Sequence, residues 1–173
     1  GERKNVTVLF SDIRGFTAFS EKVDPEEVIG MLNMYLSKQA KLVLKFNGEI
    51  DKYVGDELVA VFEGENMVDN AILCSLEIQK EMDILHQQLE AKVRIGIGIN
   101  TGMVVMGNMG SEERMDYTVL GSTVNLGARL CSKAQPGQIL LSETSFKLLK
   151  IKVKSKALEP IEVKGVSRPV MIY

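Results

Sequence analysis

Apolar residues recur along the chain with two different spacings, and these predict alternating strands and helices. From Asn5 to Phe10 they fall on both sides of an extended segment, which is typical of a buried strand. Helical spacing follows from Val28 to Val43. The pair Asp24-Pro25 fits the start of this helix and Asn47-Gly48 fits its end. A second amphipathic helix is predicted from Met67 to about Leu89.

Between these helices, two short apolar runs meet at Gly55-Asp56. The runs lie at residues 48–50 and 58–62. A Gly-Asp pair between them predicts a tight hairpin, because both residue types tolerate the positive φ of such a turn. The hairpin therefore presents an acidic tip, Asp56, on a rigid pair of strands.

Shorter elements are predicted in the second half of the chain. Strands at Val93–Asn100 and Met103–Asn108 are expected to pair across Thr101-Gly102, and a polar excursion is expected at residues 109–115. The pair Gly96 and Gly98 opens no helix, so we attribute these glycines to backbone crowding. The later predictions are a strand at Tyr117–Leu120, a helix from Val124 to about Ser132, a strand at Ile139–Leu141, a helix at Glu143–Leu149, and strands near Ile151–Val153, Ile161–Val163 and Val170–Tyr173.

This order of elements predicts an α+β fold. It reads as a ferredoxin-like βαββαβ core with additional αβ elements, and we expect one antiparallel-rich sheet with helices packed on one face. A length of 173 residues fits one domain. We expect residues 1–173 to form a single domain excised from a longer multidomain protein, since the chain begins at Gly1 without an initiator Met.

Composition and charge exclude several classes of protein. The hydrophobic fraction of 45% and charged fraction of 25% are ordinary for a globular protein, and the net charge of −2 gives no attraction to nucleic acid. We interpret the five lysines within residues 147–156 as a solvated surface. No apolar run approaches the roughly 18 residues of a membrane helix. No direct membrane contact is expected of this domain, although a sensor or membrane region is expected N-terminal to it.

The two cysteines indicate a reducing compartment. Cys74 and Cys131 have neither metal-binding nor redox spacing, so we expect buried, reduced thiols. We therefore predict a cytoplasmic domain, either of a soluble protein or of a membrane-anchored one.

Two aspartates form a candidate metal site. Asp12 follows the first strand and Asp56 lies in the hairpin, so a ferredoxin-like sheet can bring them together at one edge. Close carboxylates repel each other unless a cation lies between them. Oxygen ligands favour Mg²⁺ or Mn²⁺ over Zn²⁺, and His86 is the only histidine. On spacing alone, a turn Asp and a helix-capping Asp remain an alternative.

Asn125 and Arg129 form a second candidate group. They are four residues apart on a predicted helix and so share one face. An amide and a guanidinium on one face suit a clamp for ribose and phosphate. An exposed arginine beside a helix-start asparagine remains the alternative.

Three segments together resemble the class III nucleotide cyclase catalytic domain. They are residues 10–17 (FSDIRGFT), 51–56 (DKYVGD) and 121–129 (GSTVNLGAR), and the resemblance covers nearly the whole chain. It implies a head-to-tail homodimer with active sites at the subunit interface. It also implies conversion of ATP to cyclic AMP and pyrophosphate, by attack of the ribose 3′-hydroxyl on the α-phosphate.

The resemblance assigns residues to each part of this site. It implies that two Mg²⁺ or Mn²⁺ ions per active site bind Asp12, Asp56 and the backbone carbonyl of Ile13. The turn at residues 15–17 (Gly15, Phe16 and Thr17) matches the segment that cradles the phosphates. The catalytic positions implied by the resemblance are Asn125 and Arg129, which come from the other subunit, and Lys164, which meets the terminal phosphates.

The base-reading positions match Lys52 and Thr118. A lysine ammonium donates to adenine N1 but faces the N1–H of guanine, and the threonine hydroxyl accepts from the adenine amino group. Since an unpaired buried donor is costly, this pair predicts a preference for ATP. Guanylyl cyclases carry an acid at the Lys52 position. One departure is Gly127, where the family usually has alanine or serine.

Other functions remain as alternatives. Residues 54–57 (VGDE) resemble the Gly-Gly-Asp-Glu hairpin of diguanylate cyclases, although Lys52 and the Asn125/Arg129 motif do not fit that family. A guanylyl cyclase is a less favoured reading. A non-catalytic, cyclase-like regulatory domain that dimerises or senses nucleotide is the third alternative, although such domains usually lose a metal aspartate or the arginine.

Overall fold

The computed structural model describes residues 1–15, 21–88, 93–161 and 170–172. In chain order the elements are β1 (Glu2–Arg14), α1 (Pro25–Lys45), β2 (Glu49–Val54), β3 (Glu57–Phe62), α2 (Met67–Gln88), β4 (Arg94–Ser111), β5 (Arg114–Leu120), α3 (Ser122–Lys133), β6 (Ile139–Leu141), α4 (Glu143–Leu148), β7 (Leu158–Ile161) and β8 (Val170–Ile172). The first six elements have the predicted βαββαβ order. Across the described ranges, no helix is both long and apolar enough to span a membrane.

The main sheet confirms the ferredoxin-like core. Its strands lie in the order β2-β3-β1-β4-β5, with β6 parallel to β4, while β7 and β8 pair separately. Strands β2 and β3 form the predicted hairpin with Gly55 and Asp56 at its turn, where Gly55 has a φ of +60°. Strands β2 and β5 lie at opposite ends of this path and yet contact each other, so the sheet is strongly curled.

The predicted hairpin at Thr101-Gly102 is wrong. Strand β4 continues through both residues, and its register with β1 is unbroken from Arg94 to Met106. The Thr101 hydroxyl is hydrogen-bonded at 2.9 Å to the hydroxyl of Thr7, its register partner on β1. A Cβ at position 102 would lie 2.6 Å from the hydroxyl oxygen of Thr123, so this glycine allows helix α3 to approach rather than the chain to turn. The turn lies at residues 112–113, between β4 and β5.

Helices cover both faces of the sheet, so the prediction of a single covered face is also wrong. Leu9 packs in the cluster that contains residues of α1 and α2, whereas Val8 and Phe10 pack on the other face with Ala128 of α3. Alternate residues of β1 therefore contribute to two cores. The strand predicted near 151–153 is absent, since residues 151–157 form neither helix nor strand.

Close packing of α3 on β4 depends on glycine. A Cβ at Gly98 would lie 2.2 Å from the backbone nitrogen of Cys131, and a Cβ at Gly127 would lie 2.9 Å from a methyl group of Val8. This confirms the interpretation of Gly98 as a crowded position. It also explains why Gly127 takes the place of alanine or serine, since any side chain there presses on β1.

Two predictions from composition are also confirmed. Cys74 and Cys131 are free and buried, and burial raises the pKa of each thiol to about 12. The lysines of the run at 147–156 are all exposed.

Candidate active site

The sheet places the two candidate metal aspartates beside each other. Asp12 lies on β1 opposite Glu57 of β3, and Asp56 directly precedes Glu57 in the hairpin turn. Burial raises the pKa of Asp56 most, and the charge of Asp12 and a hydrogen bond between the two side chains raise it further. The backbone of Ile13 follows at the end of β1, with its side chain in the core. The structure thus brings together the three residues that were predicted around a metal.

A third acid lies at this site and was missed in the sequence. Burial, followed by the charges of Asp12 and Asp56, raises the pKa of Glu57 to about 6. In the sequence, only the position of Glu57 directly after Asp56 pointed to this site. Its register partner Asp12 is 45 residues away, so local spacing does not connect the two. Arg14 partly offsets the negative charge, with Nη1 2.9 Å from Oδ2 of Asp12.

These residues fit a divalent cation. Burial, and after it the charge of Asp12, raises the pKa of both Asp56 and Glu57, and a cation beside these clustered carboxylates would stabilise their ionised forms. Within the described ranges, no three His, Cys, Asp or Glu side chains are arranged as a complete metal site. A pair of carboxylates suits Mg²⁺, which usually takes one or two carboxylates and completes its coordination with water and substrate phosphate.

Of the predicted phosphate-binding residues, the structure describes only Gly15. Its φ of +82° lies in the left-handed region, so glycine is needed where the chain leaves β1. Phe16 and Thr17 lie outside the described residues, and so does Lys164. Their roles therefore stay predictions.

Lys52 and Thr118 meet where the curled sheet brings β2 and β5 together. The Lys52 ammonium donates a hydrogen bond to the Thr118 hydroxyl. The predicted pair is thus in contact, across 66 residues of sequence.

Asp51 holds this pair and was also missed in the sequence. Its carboxylate accepts a hydrogen bond from the Thr118 hydroxyl at 3.3 Å and lies 3.5 Å from the Lys52 ammonium. Only 5% of the Asp51 side chain is exposed. A register shift between Ile50 and Lys52 leaves Asp51 without a cross-strand partner, and this bulge turns two consecutive side chains toward β5. The sequence carries no clear signal for such a bulge.

A cavity of about 380 Å³ opens beside this group. Its lining combines polar groups with two tyrosines and a methionine, namely Asp51, Lys52, Tyr53, Met109, Asp116, Tyr117 and Thr118. Both tyrosine side chains are about half exposed. Such a cavity suits a flat ring that carries hydrogen-bond donors and acceptors on its edge.

Asn125 and Arg129 lie apart from both groups. They share the exposed face of α3, as their spacing predicted. Neither side chain is hydrogen-bonded or ion-paired with any residue in the described part of the chain. The candidate residues therefore form three separate groups on one chain: an acidic pair, a lysine–threonine pair and an exposed amide–guanidinium pair.

Comparison with known proteins identifies the family of this chain. The family model of the adenylate and guanylate cyclase catalytic domain matches residues 1–173. The crystal structure of the adenylyl cyclase CyaB from P. aeruginosa is similar, with a TM-score of 0.94 and 40% identity over 99% of this chain and 93% of that one. The guanylyl cyclase Cya2 is similar too, with a TM-score of 0.93 and 38% identity over 99% of this chain and 91% of that one.

A curated relative agrees as well. The adenylate cyclase of Anabaena cylindrica is 34% identical over 187 residues, which cover 94% of this chain and 37% of the relative. The chain spans only 8% to 37% of the length of the first three curated relatives that it matches. With the family match extending over all three groups of candidate residues, the chain belongs to the adenylate and guanylate cyclase catalytic domains, the class III nucleotide cyclases.

Proposed function

We propose that this cyclase domain converts ATP to 3′,5′-cyclic AMP and pyrophosphate, at active sites shared across a head-to-tail homodimer. The observation that carries the choice of ATP is the hydrogen-bonded group formed by Lys52, Thr118 and Asp51. Similarity alone does not choose the base, since the adenylyl cyclase CyaB and the guanylyl cyclase Cya2 are about equally similar to this chain.

Asp51 fixes the direction of the hydrogen bonds offered to the base. Because the Thr118 hydroxyl donates its proton to Asp51, its oxygen is left as an acceptor. This acceptor matches the amino group of adenine, which is a donor, so no two acceptors face each other. The Lys52 ammonium has three protons, so it can bond to Thr118 and still donate to adenine N1.

Guanine fits the same group poorly. Its N1–H would face the Lys52 ammonium, which has no acceptor to offer. Its O6 would face the Thr118 oxygen, whose proton is already engaged by Asp51. A buried donor without a partner costs about 1–3 kcal/mol. This mismatch supports ATP over the alternative substrate GTP.

Asp12, Asp56 and the backbone carbonyl of Ile13 would hold the two Mg²⁺ or Mn²⁺ ions of each site. When bound, these ions supply positive charge to the triphosphate and lower the pKa of the ribose 3′-hydroxyl. The protein's part is to keep the two carboxylates together on β1 and the β2-β3 hairpin. Rigid strands suit this role better than a loop does.

Asn125 and Arg129 complete the site from the partner subunit. Both side chains are exposed, and neither bonds to another residue in the described part of the chain, so they are available to a second chain. Asn125 orients the ribose, and Arg129 stabilises the charge that develops on the phosphates. Lys164 meets the terminal phosphates, and Gly15, Phe16 and Thr17 cradle them.

The protein's two candidate substrates can be compared directly. Purified protein is assayed with MgATP, MnATP and MgGTP, and the products are separated and identified. We expect 3′,5′-cyclic AMP from ATP, with kcat/KM for GTP lower by at least about 100-fold, since a mismatched buried hydrogen-bonding group discriminates strongly. Equal turnover of GTP would contradict the role given to Lys52, and the absence of any cyclic nucleotide would favour a non-catalytic regulatory domain.

A further inference from the structure

Arg14 connects the acidic pair to the end of helix α3. Its Nη1 lies 2.9 Å from Oδ2 of Asp12. On the other side, its Nη2 donates to the carbonyl of Cys131, and its Nε donates to the carbonyl of Ala134 at 3.3 Å. Only 21% of the Arg14 side chain is exposed. One guanidinium therefore contacts a candidate metal ligand and two backbone carbonyls at once.

The contacts of Arg14 stabilise two different features, the end of helix α3 and the negative charge around Asp12. The last carbonyls of a helix are incompletely satisfied by the helix itself, and cationic donors stabilise them. The Cys131 carbonyl accepts from the Ala134 N–H at 3.2 Å, a donor that it shares with the Leu130 carbonyl. Arg14 therefore supplies the Cys131 carbonyl with a further donor. Helix α3 ends at Lys133, so Cys131 and Ala134 lie at this end. The negative charge around Asp12 also favours a cation. Only arginine presents a planar set of donors that can meet a carboxylate and two carbonyls together.

The neighbouring strand leaves room for this contact. A Cβ at Gly96 of β4 would lie 2.8 Å from Nη2 of Arg14 and 3.1 Å from the carbonyl oxygen of Ala134. Gly96 was interpreted as a crowded backbone position, and the crowding group is the Arg14 guanidinium. The absence of a side chain at Gly96 of β4 therefore leaves space for the Arg14 guanidinium, which connects Asp12 to the end of α3.

We propose that Arg14 is a positioning residue that fixes Asp12 and helix α3 relative to each other, and so couples the two active sites of a dimer. This rests on the proposed function, in which Asp12 of a chain serves one site while Asn125 and Arg129 on its α3 serve the other. Every active site then depends on two Arg14 side chains. One holds the acidic side of the site, and the other holds the helix that the partner contributes.

In a mixed dimer, the role of Arg14 beside the carboxylates and its role at helix α3 can be tested separately. When Asp56→Asn and Arg129→Ala chains are combined, the one intact site takes its carboxylates from the Arg129→Ala chain and its α3 residues from the Asp56→Asn chain. Arg14→Gln is then added to one chain or to the other. We expect kcat of the intact site to fall at least tenfold in both placements.

The outcomes distinguish this proposal from the proposed function. The mixture without Arg14→Gln must be active, and its failure would count against the shared site itself. If that mixture is active and a loss occurs in only one placement, or in neither, Arg14 does not couple the sites. The matched control is Arg94→Gln, because Arg94 is the cross-strand neighbour of Arg14 and pairs only with the exposed Asp83 among the described residues. This control is expected to leave kcat unchanged in both placements.

A second measurement needs no turnover. Without nucleotide, bound Mn²⁺ should raise the melting temperature of the protein. Because Arg14 places a positive charge beside Asp12, its removal is expected to lower the Mn²⁺ concentration for half-maximal stabilisation by at least threefold, even though kcat falls. General damage to the fold would not strengthen cation binding. An unchanged half-maximal concentration would overturn the action of Arg14 on Asp12.

Discussion

Asp56→Asn is expected to lower kcat by about 1,000-fold, or roughly 4 kcal/mol in the activation barrier. Asp56 supplies one of the two side-chain carboxylates of the proposed metal site, and an amide is a weaker ligand without charge. The rate of cyclic AMP formation with Mn²⁺ measures the loss. Asp83→Asn is the control, since Asp83 pairs with Arg94 on the surface and is expected to leave the rate unchanged.

The same substitution should not destabilise the metal-free protein. Burial and Asp12 raise the pKa of Asp56 from its ordinary value of 3.8, so the ionised form is less favourable in the folded chain than in the unfolded one. The free energy of unfolding therefore falls as the pH rises from about 3.8 through the raised pKa of Asp56. The Asp56→Asn substitution removes that loss of stability. The melting temperature at neutral pH should be equal or higher. If the melting temperature were lower instead, unfolding rather than loss of a metal ligand would explain the lost activity.

The second large effect is expected at Lys52. Lys52→Glu should lower kcat/KM for ATP by at least about 100-fold, because a carboxylate offers adenine N1 no donor. The new carboxylate would also lie beside Asp51, whose side chain is 5% exposed, so the two acids would repel each other. The double variant Lys52→Glu with Asp51→Asn relieves this repulsion.

Steady-state kinetics with both nucleotides test this pair of variants. The double variant should gain turnover with GTP relative to the wild type, since a glutamate accepts from guanine N1–H, while ATP turnover stays low. Asp51→Asn alone is the control for loss of the carboxylate that orients Thr118. An unchanged preference for ATP in the double variant would contradict the assignment of Lys52 as the base reader.

The sequence predicted the elements with strong local signals. Helix α1 begins at Pro25, although Asp24 makes no side-chain capping hydrogen bond, and the β2-β3 hairpin turns at Gly55-Asp56. Proline and turn residues constrain the backbone at and beside their own positions, so these signals are local. The false hairpin at Thr101-Gly102 shows the limit of such signals. There a glycine needed for packing against α3 resembles a turn glycine, and only the long pairing with β1 distinguishes the two.

The same distinction between local signals and long-range contacts applies to the candidate active site. Motif positions such as Asp12 and Asp56 were predicted together and are together. Asp51 and Arg14 were missed as positioning residues, because their partners Thr118 and Cys131 lie 67 and 117 residues away. Their roles depend on the curl of the sheet and on the face chosen by α3. Neither feature can be derived from local spacing.

A shared active site is the central claim, and mixing two inactive chains tests it most directly. Arg129→Ala, like Asp56→Asn, should be nearly inactive alone, since each homodimer then lacks one side of both sites. In an equal mixture, half of the dimers hold one intact site of two, so activity should return to about a quarter of the wild-type value. If both variants dimerise and exchange subunits and the mixture still forms no cyclic AMP, the active site is not shared between chains.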